Sequence, residues 1–188
     1  MIKQPKTRPA AQRQAQLENA LLVLMRSKGY AQTTVTDICR EAGIPRRTFY
    51  HYFDCKEEVL HAAVENMLHE CMLKVMLEFD GGMEALRASL VRNFRFWLTE
   101  GRAKLDLLLD NGLAAEMTDC AMGWLAREHF SLPHHPGVSD KQMEITTMVG
   151  VSGFFTLLIY WRKNGYRESP EEMAEFAARF LSKPLFQP

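Results

Sequence analysis

Apolar positions return every three or four residues along most of the chain, and no stretch alternates with period two for long enough to make a strand. From Ala11 onward, Leu17, Ala20, Leu21, Leu24 and Met25 follow the spacing of an amphipathic helix, which Gly29 ends. Thr34, with Asp37 three residues on, forms a capping box that opens a second helix with the stripe Val35, Ile38, Cys39 and Ala42. Gly43-Ile44 breaks that helix, and Pro45, suited to a first helical turn, opens a short third one through about Tyr52. Asp54, followed by Glu57, predicts the cap of a long fourth helix. Its stripe runs from Leu60 through Val64, Met67, Leu68, Cys71, Met72 and Met76 to Phe79, and Asp80-Gly81-Gly82 ends it. Further helical patterns cover 83–99, 102–111, 115–130, 140–164 and 170–182. The expectation is an all-α fold of about nine helices, preceded by a flexible basic arm at 1–10 that carries Lys3, Lys6 and Arg8 between Pro5 and Pro9.

Composition narrows the classes. The 188 residues are 47% hydrophobic and 24% charged, which excludes a disordered chain and suffices for a substantial core. The formal net charge is zero, but the charges are divided: residues 1–56 hold 10 Lys/Arg against 4 Asp/Glu, and residues 57–188 hold 13 against 19. An electropositive end on an acidic remainder implies a polyanion partner for one end only. Cys39, Cys55, Cys71 and Cys120 contain no CxxC pair, which excludes a zinc ribbon and argues against a disulfide framework. The uncharged run 145–161 has 17 residues, short of the roughly 20 a membrane span needs, and no leader is visible. A cytoplasmic protein without a membrane partner is expected.

The basic third contains a constellation with checkable geometry. Two short helices joined by a tight glycine turn are the pattern of a helix-turn-helix. Counting Val35 as first, the fifth position must be small where the helices cross, and it is Cys39; the ninth must accept a left-handed turn, and it is Gly43. Ile38, Ala42, Ile44, Phe49 and Tyr52 fall where apolar surface must be buried. A wheel of the third helix sends Phe49 and Tyr52 one way and Arg46, Arg47, Tyr50 and His51 the other. That second face offers donors to phosphates and base edges, as a helix entering a major groove must.

The segment TTVTDICREAGIPRRTFYHYFDCKEEVL resembles the signature of the TetR/AcrR family of one-component regulators, and the likeness extends over residues 11–68. The resemblance implies an all-α homodimer with a DNA-binding head (11–56) and a helical effector-binding and dimerisation body (57–188). It implies double-stranded operator DNA as partner, a small-molecule effector, and a repressor as the sign of control. Carried over by position, Thr34 and Lys56 meet phosphate, and Arg46, Thr48, Tyr50 and His51 lie at recognition-helix contact positions; Arg47 stands where the family often has Gly. Residues 160–165 and 169–174 resemble the family's last two helices.

Other constellations point less far. His61, Glu65 and His69 stack at i, i+4, i+8, but no fourth ligand accompanies them, and His129, His134 and His135 sit in a Pro-containing loop. No metal or cofactor is expected. No GxSxG elbow or convincing Ser/His or Cys/His arrangement is present, so no enzyme is expected. The alternative is an all-α ligand-binding or scaffold protein without specific DNA readout, against which the wheel of the third helix speaks. In the body, Met67, Cys71, Phe94, Trp97 and Trp124 are expected to line a pocket for a hydrophobic or aromatic effector, with Arg92 or Arg95 meeting any anionic group. The run 145–161, including Phe155, and the amphipathic segment 170–182 with Met173, Phe176, Ala177, Phe180 and Leu181 are expected to form a four-helix interface between two copies.

Overall fold

The computed structural model of the chain describes residues 7–75, 83–127 and 139–182. Among them are nine α-helices and no strand: α1 (Arg8–Lys28), α2 (Val35–Ala42), α3 (Arg46–Tyr52), α4 (Lys56–Val75), α5 (Met83–Leu98), α6 (Arg102–Asp110), α7 (Ala114–Arg127), α8 (Asp140–Lys163) and α9 (Pro170–Ser182). Residues 1–6, the end of the fourth stripe at Met76 and Phe79, and the loop with His129, His134 and His135 lie outside the described residues, as do the side chains of Phe180 and Leu181.

Two helix starts differ from expectation. Residues 8–10 belong to α1 rather than to an arm, because the Thr7 hydroxyl accepts from Ala10 N at 3.3 Å and Pro9 supplies a preset φ in the first turn. At α4 the residue reaching back is Glu58 rather than Glu57: its Oε2 accepts from Asp54 N at 2.8 Å, while Glu57 accepts from the Tyr30 hydroxyl at 3.3 Å.

The chain divides into two compact units. The first comprises residues 1–67 with 107–120, more than the segment 11–56 that carries the helix-turn-helix pattern. Its core takes Leu17, Leu21 and Met25 from α1, Ile38 from α2, Phe49 and Phe53 around α3, Val59 and Leu60 from α4, Leu108 from α6, Leu113 from the turn that follows and Met117 from α7, each 4% exposed or less. Such residues contribute about 1.5–3 kcal/mol each by leaving water, so the three-helix head gains much from residues 107–120, which join it late in sequence. Asn66 Nδ2 donates to the buried Glu18 at 2.7 Å, tying α4 to α1.

The second unit comprises residues 68–106 with 121–188. α5 lies along α9, and α9 also touches α8. Its core is aromatic: Phe94 packs on Phe154 (5.1 Å) and edge-on to Trp161 (5.4 Å), and Trp97 meets Phe155 (6.5 Å). Tyr166 sits at a positive φ of 55°, costly for a bulky side chain, and tertiary contacts hold it there. Its hydroxyl donates to Asp106 at 2.7 Å, its ring packs on Trp161, and Arg102 lies 4.7 Å over the ring. Gly101 is required by close approach: a Cβ there would lie 2.9 Å from both the Phe96 and Trp97 rings.

α8 is longer than the uncharged run it contains. Its 24 residues reach a window hydropathy of 1.4, long and apolar enough to cross a membrane by length and composition alone, with 22% of that window buried. Met143, Thr147, Phe155, Leu158 and Trp161 face inward, whereas Ile145, Met148, Val149 and Tyr160 are about half exposed. Phe155, expected at an interface, is therefore an interior residue at 4% exposure, while Phe176 on α9 is 57% exposed. The reason is helical phase: Phe155 follows Leu158 and Trp161 around α8, and the outward face belongs to positions 145, 148, 149 and 160.

Candidate nucleic-acid interface and effector cavity

The turn between α2 and α3 has the geometry its spacing predicted. Gly43 adopts φ 64°, ψ 28°, the left-handed conformation, and Ile44 N donates to Cys39 O at 2.9 Å. Cys39 is 6% exposed at the crossing, and Ile44 and Phe49 are buried beside it. The capping box is complete: Thr34 Oγ1 accepts from Asp37 N at 3.2 Å, and Asp37 accepts from Thr34 N at 3.0 Å. Asp37 also pairs with Lys28 (2.6 Å) and Arg40 (2.7 Å), and the Lys28 hydrogen bond, then those of Thr34, hold its carboxyl well below the usual range. Pro45 caps α3 with no side-chain hydrogen bond, its φ of −60° taking the place of one.

Of the candidate DNA-contact residues, Thr34, Arg46, Arg47, Tyr50 and His51 are exposed and Thr48 is half-buried. Arg46 is held in place: its guanidinium donates to Thr36 Oγ1 (3.2 Å) and to the Tyr50 hydroxyl (3.1 Å). Thr36, not singled out from sequence, thus joins α2 to the exposed face of α3; its position two residues after the Thr34 cap was the available signal. Lys56 is placed differently from the rest. Its ammonium donates to Tyr30 O (3.0 Å) and Thr33 O (2.9 Å) and lies 4.4 Å over the Tyr30 ring, so two of its three hydrogens are spent on the α1–α2 corner. The same corner is held by Asn111, whose Oδ1 accepts from Tyr30 N at 2.6 Å.

Within the second unit, a cavity of about 110 Å³ is walled by α4, α5, α7 and α8. Of the five residues expected to line it, Cys71, Trp97 and Trp124 do so; Phe94 is buried in the aromatic core and Met67 belongs to the first unit. Leu68, Met72, Asn93 and Phe154 are lining residues the sequence reading missed. For Asn93 a signal existed, since it is a polar residue on the apolar stripe of α5, three after Leu90 and four before Trp97. Neither expected arginine lines the cavity, and Arg95 instead pairs with Glu171 on α9. Burial pushes the Cys71 thiol up to about 12. Among the described residues no three His, Cys, Asp or Glu side chains are grouped to hold a metal, and His61, Glu65 and His69 follow one another along α4 without such a cluster.

Residues 19–63 match the model of the bacterial regulatory proteins of the tetR family. The matched residues lie in the first unit and span α2, α3 and the turn between them. The chain is 33% identical over 72 residues to the HTH-type transcriptional regulator EthR of Mycolicibacterium smegmatis, a match covering 38% of this chain and 31% of that protein. It is 49% identical over 43 residues to the dhaKLM operon transcriptional activator DhaS of Lactococcus lactis, covering 23% of each. The matched stretches therefore span less than a third of either relative. Beyond them the likeness is one of fold. A TetR transcriptional regulator structure from Rhodococcus sp. RHA1 aligns with a TM-score of 0.60 at 16% identity, over 95% of this chain and all of that one. The likeness of fold thus extends over most of the chain.

Proposed function

We propose that the protein is a ligand-responsive transcriptional regulator that binds a roughly palindromic operator as a homodimer, with α3 in the major groove. The observation that carries this reading is the rigid exposed face of α3: Arg46 is pre-positioned by Thr36 and Tyr50, beside exposed Arg47 and His51. Bonds already made by the free protein lower the ordering cost of docking. Thr34 and Thr48 meet backbone phosphates. Lys56 acts mainly by fixing the α1–α2 corner, with its third hydrogen left for phosphate.

The half-exposed apolar side chains of α8 and Phe176 of α9 border a groove of about 340 Å³ lined by Gly150, Gly153 and Leu157. A second copy of this chain is its occupant: small residues permit close approach of helices, and a two-fold axis would pair each patch with itself. The cavity holds the effector. α4 supplies Leu68, Cys71 and Met72 to that cavity, and Lys56 at its start grips the turn before α2. A ligand that moves α4 changes the setting of the head, and Phe154, which lines both cavity and groove, links the ligand to the dimer face. We read the sign of control as repression on the family resemblance; the Lactococcus lactis relative is described as an activator, and a reporter fusion reads the sign directly. The regulator reading contains no catalytic step.

Selection from a random duplex pool tests the reading. An inverted repeat is expected, with half-sites about one helical turn (roughly 34–36 Å) or slightly more apart, and affinity falling steeply with salt as phosphate contacts release counterions. A pool that enriches no sequence overturns it.

A further inference from the structure

Two donors of the cavity wall meet one acceptor. The indole N–H of Trp97 donates to Asn93 Oδ1 at 3.2 Å, and the Cys71 thiol donates to the same oxygen at 3.4 Å. Because an indole nitrogen cannot accept, this contact fixes the orientation of the carboxamide: its oxygen is occupied and its Nδ2 hydrogens remain. The thiol stays protonated in its apolar surroundings and so does not become an anion facing the ligand. Among the described residues no charged side chain lines the cavity.

One exclusion follows. An anion would have to shed its water without meeting a cation, which an apolar wall cannot compensate. We propose that the cavity selects a small, neutral molecule that presents a hydrogen-bond acceptor, and that Asn93 Nδ2 is the group that recognises it. This rests on the reading of the cavity as the effector site and gives that effector its chemical class.

Three probes of nearly the same shape separate the possibilities: acetophenone, α-methylstyrene, which replaces the carbonyl oxygen by CH2, and benzoate. Calorimetric titration of the full chain should detect acetophenone and not benzoate. In Asn93→Leu the affinity for acetophenone relative to α-methylstyrene should fall roughly five- to tenfold, the worth of one net hydrogen bond. Should that variant fail to fold, the infrared carbonyl stretch of acetophenone bound to the wild-type protein serves instead, and it should shift to lower wavenumber than in an apolar solvent. Tightest binding of benzoate, an unchanged ratio, an unshifted carbonyl, or no binding by any of the three overturns the proposal. The effector reading is judged separately, by anisotropy of the selected duplex: acetophenone that binds with the expected ratio yet leaves DNA affinity unchanged refutes that reading and leaves the cavity chemistry standing.

Discussion

The two units satisfy their polar groups over very different distances along the chain. In the head, Thr34, Arg40 and Lys28 bond to Asp37 within nine residues, and Arg46 finds Thr36 and Tyr50 within ten. In the second unit, Asp106 takes Arg162 and Tyr166 from 56 and 60 residues away, and Arg95 takes Glu171 from 76. Local bonds form at little loop-closure cost, so the head's recognition surface is largely specified by its own short segment. The second unit has to bring distant helices together before its groups are met. The head has exceptions, among them Lys56 to the Tyr30 and Thr33 carbonyls, Tyr30–Glu57, Tyr30–Asn111 and Glu18–Asn66, and the last three bring residues outside the 11–56 segment to bear on it.

The sharpest way to break this comparison is at the outward face of the second unit. Phe176→Asp places a charge where a second copy is proposed to pack, and an unpaired buried charge costs about 3–5 kcal/mol. The variant should sediment as a monomer at micromolar concentration and lose operator binding while retaining its helical circular-dichroism spectrum. A wild-type chain that is itself monomeric there refutes the interface. At the head, Arg46→Ala should weaken operator binding roughly 10- to 100-fold per half-site with unchanged melting, because its partners Thr36 and Tyr50 remain exposed to water. Equal loss on specific and random duplex would reduce Arg46 to a phosphate contact.

Two added methyl groups compare the units directly. Gly101→Ala drives a Cβ against two aromatic rings and should cost about 1–3 kcal/mol by overpacking. Gly43→Ala meets nothing within 4 Å and should cost about 1–2 kcal/mol through its left-handed backbone alone. Thermal melts of both, with the Trp signal reporting only on the second unit where Trp97, Trp124 and Trp161 lie, should show the first loss in fluorescence and the second in operator affinity. The smallest effect concerns pH. Asp37 is held below its ordinary value, so its pairing stabilises the head above the unfolded carboxylate pKa of about 3.9 and is lost as pH falls toward the folded value. Asp37→Asn should melt earlier than wild type at pH 7, with the gap closing below about pH 4; a gap that persists in acid assigns the effect to something other than charge.

The reach of sequence reasoning followed the same divide. Period and capping residues placed nine helices, and the small fifth and glycine ninth positions placed the turn, because each depends on neighbours within a few residues. Helix periodicity also separated Phe49 from the face of Arg46 and Arg47. Only tertiary structure decided the rest. That Lys56 grips the Tyr30 and Thr33 carbonyls, that Glu58 rather than Glu57 reaches back at α4, and that Phe155 points inward are matters of which surface each residue meets. The cavity is the clearest case: Asn93 read as one polar interruption in an apolar stripe, and only the approach of Trp97 and Cys71 to its oxygen gave the wall its donor character. A residue's local pattern sets the element and face it occupies; the groups that close over that face come from segments whose distance no local pattern encodes.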